Sequence, residues 1–129
     1  MSVNITFLGG ADTVTGSRFL VRHDGHSLLV DCGLFQGYKQ LRLRNWRPLP
    51  VVPGQIHAVI LTHAHLDHSG YLPVLVREGF HGRVHATSGT RDLCGILLPD
   101  SGQLYQVETG WRLVDGRWKL LNASWTPNL

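Results

Sequence analysis

The ten residues LTHAHLDHSG, Leu61 to Gly70, place His63, His65, Asp67 and His68 directly after the apolar run Ala58-Val59-Ile60-Leu61. Neutral imidazole and carboxylate are the usual nitrogen and oxygen donors for Zn²⁺, so the spacing H-x-H-x-D-H offers four donors on one short loop. Side chains two residues apart in an extended segment point the same way, which lets His63 and His65 share one ion. Asp67 and His68 fall where the loop tightens into a helix and are aimed differently, so they can serve a second ion about 3.5 to 4 Å from the first. Such a pair lowers the pKa of a shared water toward neutrality and stabilises an anionic transition state, which suits hydrolysis of phosphodiesters, esters or amides. His23, His26, His57, His81 and His85 lack this spacing and are expected to be structural or solvated.

A loop of this kind needs a strand to deliver it and a helix to receive it. Three prolines in RPLPVVPG keep that stretch extended or turning, and His57 to Leu61 is then an apolar strand too short for a helix. After the loop, Leu72, Leu75 and Val76 recur at helical spacing from Tyr71 to Glu78, with Pro73 tolerable in the first turn and Gly79 as a stop. Upstream, Val3 to Leu8 reads as a buried strand, and Arg18 to Arg22 with Ser27 to Val30 as a hairpin around HDGH. The second hairpin strand ends on Asp31, which puts a carboxylate at a strand's carboxyl end, where site residues commonly stand. Downstream, RVHA is another short strand, and SGTRDLCGILL a helix capped by Ser88 and ending near Pro99. Strands alternating with helices predict an α/β layer architecture.

Composition sets the outer limits. At 129 residues the chain has the length of one domain, and 43% hydrophobic against 16% charged residues can supply a core. No stretch approaches the ~18 consecutive apolar residues of a membrane span, and the N-terminus lacks a signal-peptide pattern, so a soluble cytoplasmic protein with no membrane partner is expected. Cys32 and Cys94 are expected to be buried free thiols. GGADTVTGS lacks the Gly-Lys-Ser/Thr ending of a phosphate-binding loop. The net charge of +3 is compatible with an anionic substrate. The densest basic stretch, YKQLRLRNW, sets Lys39, Arg42 and Arg44 beside Tyr38 and Trp46, a mix that can hold phosphates and stack bases, or simply form a solvated helix face.

THAHLDHSG resembles the signature of the metallo-β-lactamase superfamily, and Asp31 in LLVDCG is similar to its preceding aspartate motif. FLGGADTVTGSRFLV, LLVDCGLFQG and GYLPVLVREGFHGRVHATSGTRDLCGILLPDS further resemble the N-terminal part of β-CASP enzymes, zinc-dependent ribonucleases of RNA processing. The resemblance runs from about Ile5 to Ser101. It implies the first half of an αββα sandwich and two zinc ions, with His63 and His65 on one, Asp67 and His68 on the other as the catalytic pair, and Asp31 orienting the loop from behind. It also implies RNA as the substrate. Two other readings stand beside it: a lactamase-fold hydrolase of thioesters or lactones, and a non-catalytic metal-binding module that pairs with a homo-oligomeric or complementing chain.

The family's later ligands, two further histidines and a bridging aspartate, have no counterpart here, since no histidine follows His85 and Asp92, Asp100 and Asp115 lie in other contexts. Two histidines fall short of the three protein ligands usual at a catalytic zinc, so an incomplete and inactive site is expected. The division expected is residues 1–102 as the N-terminal part of the lactamase domain and 103–129 as a divergent tail. The tail is read as a frameshifted or truncated end, or as a natural hairpin WRLV-DG-RWKLL turning at Asp115-Gly116.

Overall fold

A computed structural model describes residues 2–104 and the segments 111–114 and 117–120; side chains are described for residues 2–101. Five strands, β1 (Asn4–Gly9), β2 (Arg18–His23), β3 (His26–Val30), β4 (Ala58–Ile60) and β5 (Arg83–His85), form one sheet in sequence order. The first three are antiparallel and β3, β4 and β5 are parallel. The β2–β3 turn follows from its sequence: His23 pairs with His26, and Asp24 and Gly25 both take positive φ (46° and 75°), the two-residue turn that matches strand twist. The parallel half needs crossovers. The first contains the short helix α1 (Lys39–Arg42) and two 3₁₀ turns; the second contains α2 (Leu66–Ser69) and α3 (Leu72–Arg77). Parallel pairing brings the carboxyl ends of β3 and β4 side by side, which sets Asp31 next to the histidine loop.

The helices cover one face of the sheet. Leu20, Leu29 and Val59, register partners across β2, β3 and β4, are buried against Leu72, Leu75, Cys94 and Leu98. The long helix α4 (Ser88–Leu104) supplies the last two of these. Its cap is Thr87 rather than Ser88, because the Thr87 hydroxyl accepts the Thr90 N–H at 3.2 Å. It also does not stop near Pro99. Leu98 and Ser101 are buried on either side of the proline, and that packing outweighs the helical hydrogen bond it forgoes.

The expectation of a buried first strand is corrected. Among the described residues β1 pairs only with β2 and lies at the sheet edge, with Ile5 58% and Phe7 64% exposed. Phe7 meets Phe19 edge-to-face at 5.5 Å on the face opposite the helices, and Ile60 of the same face is 38% exposed. The described residues thus form one helix layer on one sheet, which accords with the first half of a layered sandwich. Trp111–Val114 and Arg117–Leu120 pair antiparallel as β6 and β7, with Val114 opposite Arg117; the Asp115-Gly116 turn lies outside the described residues. Among the described residues no helix is long and apolar enough to cross a membrane.

Both thiols are free and buried. Desolvation pushes the Cys32 thiol up to about 12 from its ordinary 9.0, against the opposing pull of the Arg18 cation. The folded state therefore keeps its proton where the unfolded chain loses it, and stability falls as pH rises from about 9 to 12, by up to ~1.4 kcal/mol per pH unit. Urea unfolding at pH 8 and pH 10 should show this loss, and Cys32→Ala should reduce it. An equal loss in Cys32→Ala would assign the alkaline sensitivity to other groups.

Candidate metal centre

Asp31 is the hub of the site. It is buried (3% exposed) and sits at φ 60°, left-handed backbone that Asp tolerates better than most residues. This turn out of β3 aims its carboxylate at the start of the histidine loop. Oδ1 accepts the Thr62 N–H at 2.8 Å, the Thr62 hydroxyl reaches both oxygens (3.0 and 2.8 Å), and Oδ2 meets His68 Nδ1 at 2.8 Å.

These contacts dictate tautomers. A carboxylate only accepts, so His68 carries its proton on Nδ1. The Thr62 hydroxyl spends its proton on Asp31, so its oxygen accepts from His63 Nδ1 at 3.0 Å, and His63 is held in the same tautomer. One buried carboxylate thereby fixes the Nδ1 proton of two imidazoles, one by direct contact and one through Thr62, which is the tautomer whose Nε2 can face a metal. Nothing in the sequence singled out Thr62; its only signal is its place between β4 and the first histidine.

The three imidazoles are gathered. The His63 ring centroid lies 4.0 Å from that of His68 and 4.9 Å from that of His65. Asp67 Oδ2 stands 3.6 Å from His68 Nε2. Two ligands of one tetrahedral zinc with bonds of 2.0 to 2.2 Å are about 3.3–3.6 Å apart, so this pair has the spacing of shared ligands. The donor set fits zinc in kind and in clustering. It falls short in number: among the described residues, no three His, Cys, Asp or Glu side chains are arranged to hold an ion.

Main-chain contacts fix the turn that carries Asp67 and His68. Three consecutive carbonyls of α2 accept from other segments: Leu66 from the Leu34 N–H (2.9 Å), Asp67 from Ser17 (2.9 Å) and His68 from Cys32 (2.8 Å). Ser69 is fully buried and its hydroxyl donates to the Ala64 carbonyl at 2.9 Å, tying the two ends of the loop together. Gly33 lets the segment after β3 come this close to α2, because a Cβ there would overlap the Asp67 carbonyl oxygen.

The remaining candidates lie apart from the loop. Lys39, Arg42 and Arg44 are exposed on α1 and the following 3₁₀ turn, and no carboxylate pairs with them among the described residues. His23, His26 and His57 line a cavity of about 740 Å³ at the opposite end of β3 and β4. His57 Nδ1 accepts the Ser27 N–H at 3.0 Å, and His26 Nδ1 donates to the Asp24 carbonyl at 3.0 Å. His81 Nδ1 likewise meets the Gly79 carbonyl at 3.1 Å.

Comparison with known proteins agrees with this architecture. The chain is 46% identical over 99 residues to ribonuclease TTHA0252 of Thermus thermophilus, a match covering 77% of this chain and 22% of that protein. It is 42% identical over 103 residues to transcription termination factor FttA of Methanosarcina mazei, covering 76% of this chain and 16% of that one. The chain thus spans less than a quarter of the length of either relative. Among solved structures, the short form of human tRNase Z aligns with a TM-score of 0.50 at 22% identity, over 81% of this chain and 41% of that one, a likeness of fold. The profile of the metallo-beta-lactamase superfamily matches residues 12–117, and the chain belongs to that superfamily.

Proposed function

We propose that the chain carries the zinc-binding loop of an RNA phosphodiester hydrolase of the β-CASP type, acting in the cytoplasm. The observation that carries this reading is the Asp31 network, which readies Nε2 of both His63 and His68 for a metal. His63 and His65 would hold one Zn²⁺, Asp67 and His68 another. Bound zinc would supply Lewis acidity and an acidified water. The chain's own residues do the rest. Asp31 and Thr62 fix the imidazole tautomers, the Ser17, Cys32 and Leu34 amides hold the Asp67–His68 turn, and Asp31 offsets positive charge gathering on His68. Four donors are too few for two catalytic ions at three protein ligands each, so residues from beyond this loop would complete both. We place the lactamase-type unit at residues 1–102, with 103–129 as a separate tail.

RNA as the substrate is supported by the ribonuclease named among the relatives and by the exposed cations Lys39, Arg42 and Arg44, which pair with no carboxylate among the described residues. If these three contact a single strand, replacing all of them with Ala lowers the slope of log affinity against log salt by roughly 2, at about 0.7 per phosphate contact. Fluorescence anisotropy with a labelled single-stranded RNA at several salt concentrations measures this. An unchanged slope would remove these residues from the interface. Absence of RNA binding together with turnover of a lactone or thioester would favour a small-molecule hydrolase.

A further inference from the structure

Arg18 is the most deeply buried charged residue described, 2% exposed, and the chemistry above does not use it. Its Nε donates to the Gly33 carbonyl at 2.8 Å, and Nη2 reaches Asn45 Oδ1 at 3.5 Å. Its guanidinium lies over the Tyr71 ring at 3.9 Å and the Phe35 ring at 4.9 Å. Among the described residues no carboxylate pairs with it. Burying a cation against two rings and a carbonyl is costly, and a chain seeking only stability would fill the space with an apolar side chain.

What Arg18 touches is informative. Gly33 is the residue that Asp67 abuts, and its N–H donates to the Ser17 carbonyl at 3.0 Å. Its neighbours Cys32 and Leu34 hold the His68 and Leu66 carbonyls, and the Tyr71 N–H returns to the Cys32 carbonyl at 2.9 Å. Arg18 thus grips by side chain both segments that the main chain already joins: residues 32–35 before the donor turn, and Tyr71 directly after it. Asn45 closes the arrangement, its Oδ1 accepting the Phe35 N–H at 2.7 Å and its amide donating to the Phe35 carbonyl at 2.8 Å.

We infer that Arg18 is a positioning residue for the metal loop: by clamping the Gly33 carbonyl and the Tyr71 ring it fixes the Asp67–His68 turn against Asp31. This rests on the metal reading above only for its consequence in zinc affinity; the geometric part stands without it. The test uses the 129-residue chain labelled with ¹⁵N, as wild type, Arg18→Met and Arg18→Lys, with the exposed Arg22→Met as control. Histidine side-chain tautomers are read by long-range ¹H–¹⁵N correlation, and zinc affinity by competition with a chromophoric chelator.

The wild type is expected to show His68 with its proton on Nδ1. Arg18→Met should mix the His68 tautomers and weaken zinc binding at least tenfold, as loss of a supporting partner does at other sites. Arg18→Lys keeps the cation but loses the planar fork, and should move both readouts the same way by a smaller amount. Arg22→Met should move neither. A lowered melting temperature in Arg18→Met with unchanged tautomer and zinc affinity would reduce Arg18 to a packing role and overturn the inference. If Arg18→Met does not fold, unchanged readouts in Arg18→Lys overturn it. A wild type that binds no zinc, with a His68 tautomer that still shifts in Arg18→Met, refutes the metal reading and upholds the clamp.

Discussion

Asp31→Asn is expected to weaken zinc binding about 100-fold while leaving the chain folded. Asn is close to Asp in shape and tolerates the positive φ of this position, so the backbone turn survives. The hydrogen bonding does not. The carboxylate accepts the Thr62 N–H, the Thr62 hydroxyl and the His68 Nδ1–H. An amide has one acceptor oxygen and one donor nitrogen, so whichever way it is placed a donor faces a donor. With nitrogen toward His68, the imidazole moves its proton to Nε2 and loses the lone pair a metal would take. With nitrogen toward Thr62, the hydroxyl turns and no longer fixes His63. Loss of a charged acceptor also costs about 2 kcal/mol of stability. Zinc competition and urea unfolding of the variant measure the two effects. Affinity within threefold of wild type would show that the tautomers are set by something other than Asp31.

Gly33→Ala is expected to be the most damaging single methyl addition, costing about 3 kcal/mol or more. The new Cβ would overlap the Asp67 carbonyl oxygen and come 2.8 Å from the His68 nitrogen. Both are backbone atoms and cannot rotate away, so either the segment after β3 or the donor turn must move. Ser17, Cys32 and Leu34 would then lose register with the three α2 carbonyls together. Gly89 is the contrast: it lies in α4 with nothing within 4 Å of a Cβ, and Gly89→Ala should stabilise by about 0.5–1 kcal/mol. Urea titration of both variants gives the comparison, and a Gly33→Ala chain of wild-type stability would mean that the turn is loosely held.

The sequence carried the local part of this molecule well. The H-x-H-x-D-H spacing located the loop, and the apolar run and prolines before it placed it at a strand end. Asp24-Gly25 announced a two-residue turn, and Asp31 stood out at the end of its strand. These are short-range signals. What escaped depends on contacts between distant segments. Thr62 matters because β3 and β4 run parallel and bring Asp31 beside it, a pairing of residues 31 positions apart. Arg18 reads as an ordinary strand residue until Phe35, Asn45 and Tyr71 close over it. Pro99 looks like a helix stop until Leu98 and Ser101 are seen buried around it. The first strand reads as buried because Val3, Ile5, Phe7 and Leu8 are apolar, and only sheet order shows it at an edge.

The proposed metal loop is the one that Asp31 prepares. Titrating Zn²⁺ into the ¹⁵N-labelled chain while following all eight histidine side chains tests it most directly. The expected result is that Nε2 of His63, His65 and His68 shifts first and together, while His23, His26, His57, His81 and His85 hold their positions. Shifts spread evenly over all the histidines, or confined to those outside the loop, would contradict it.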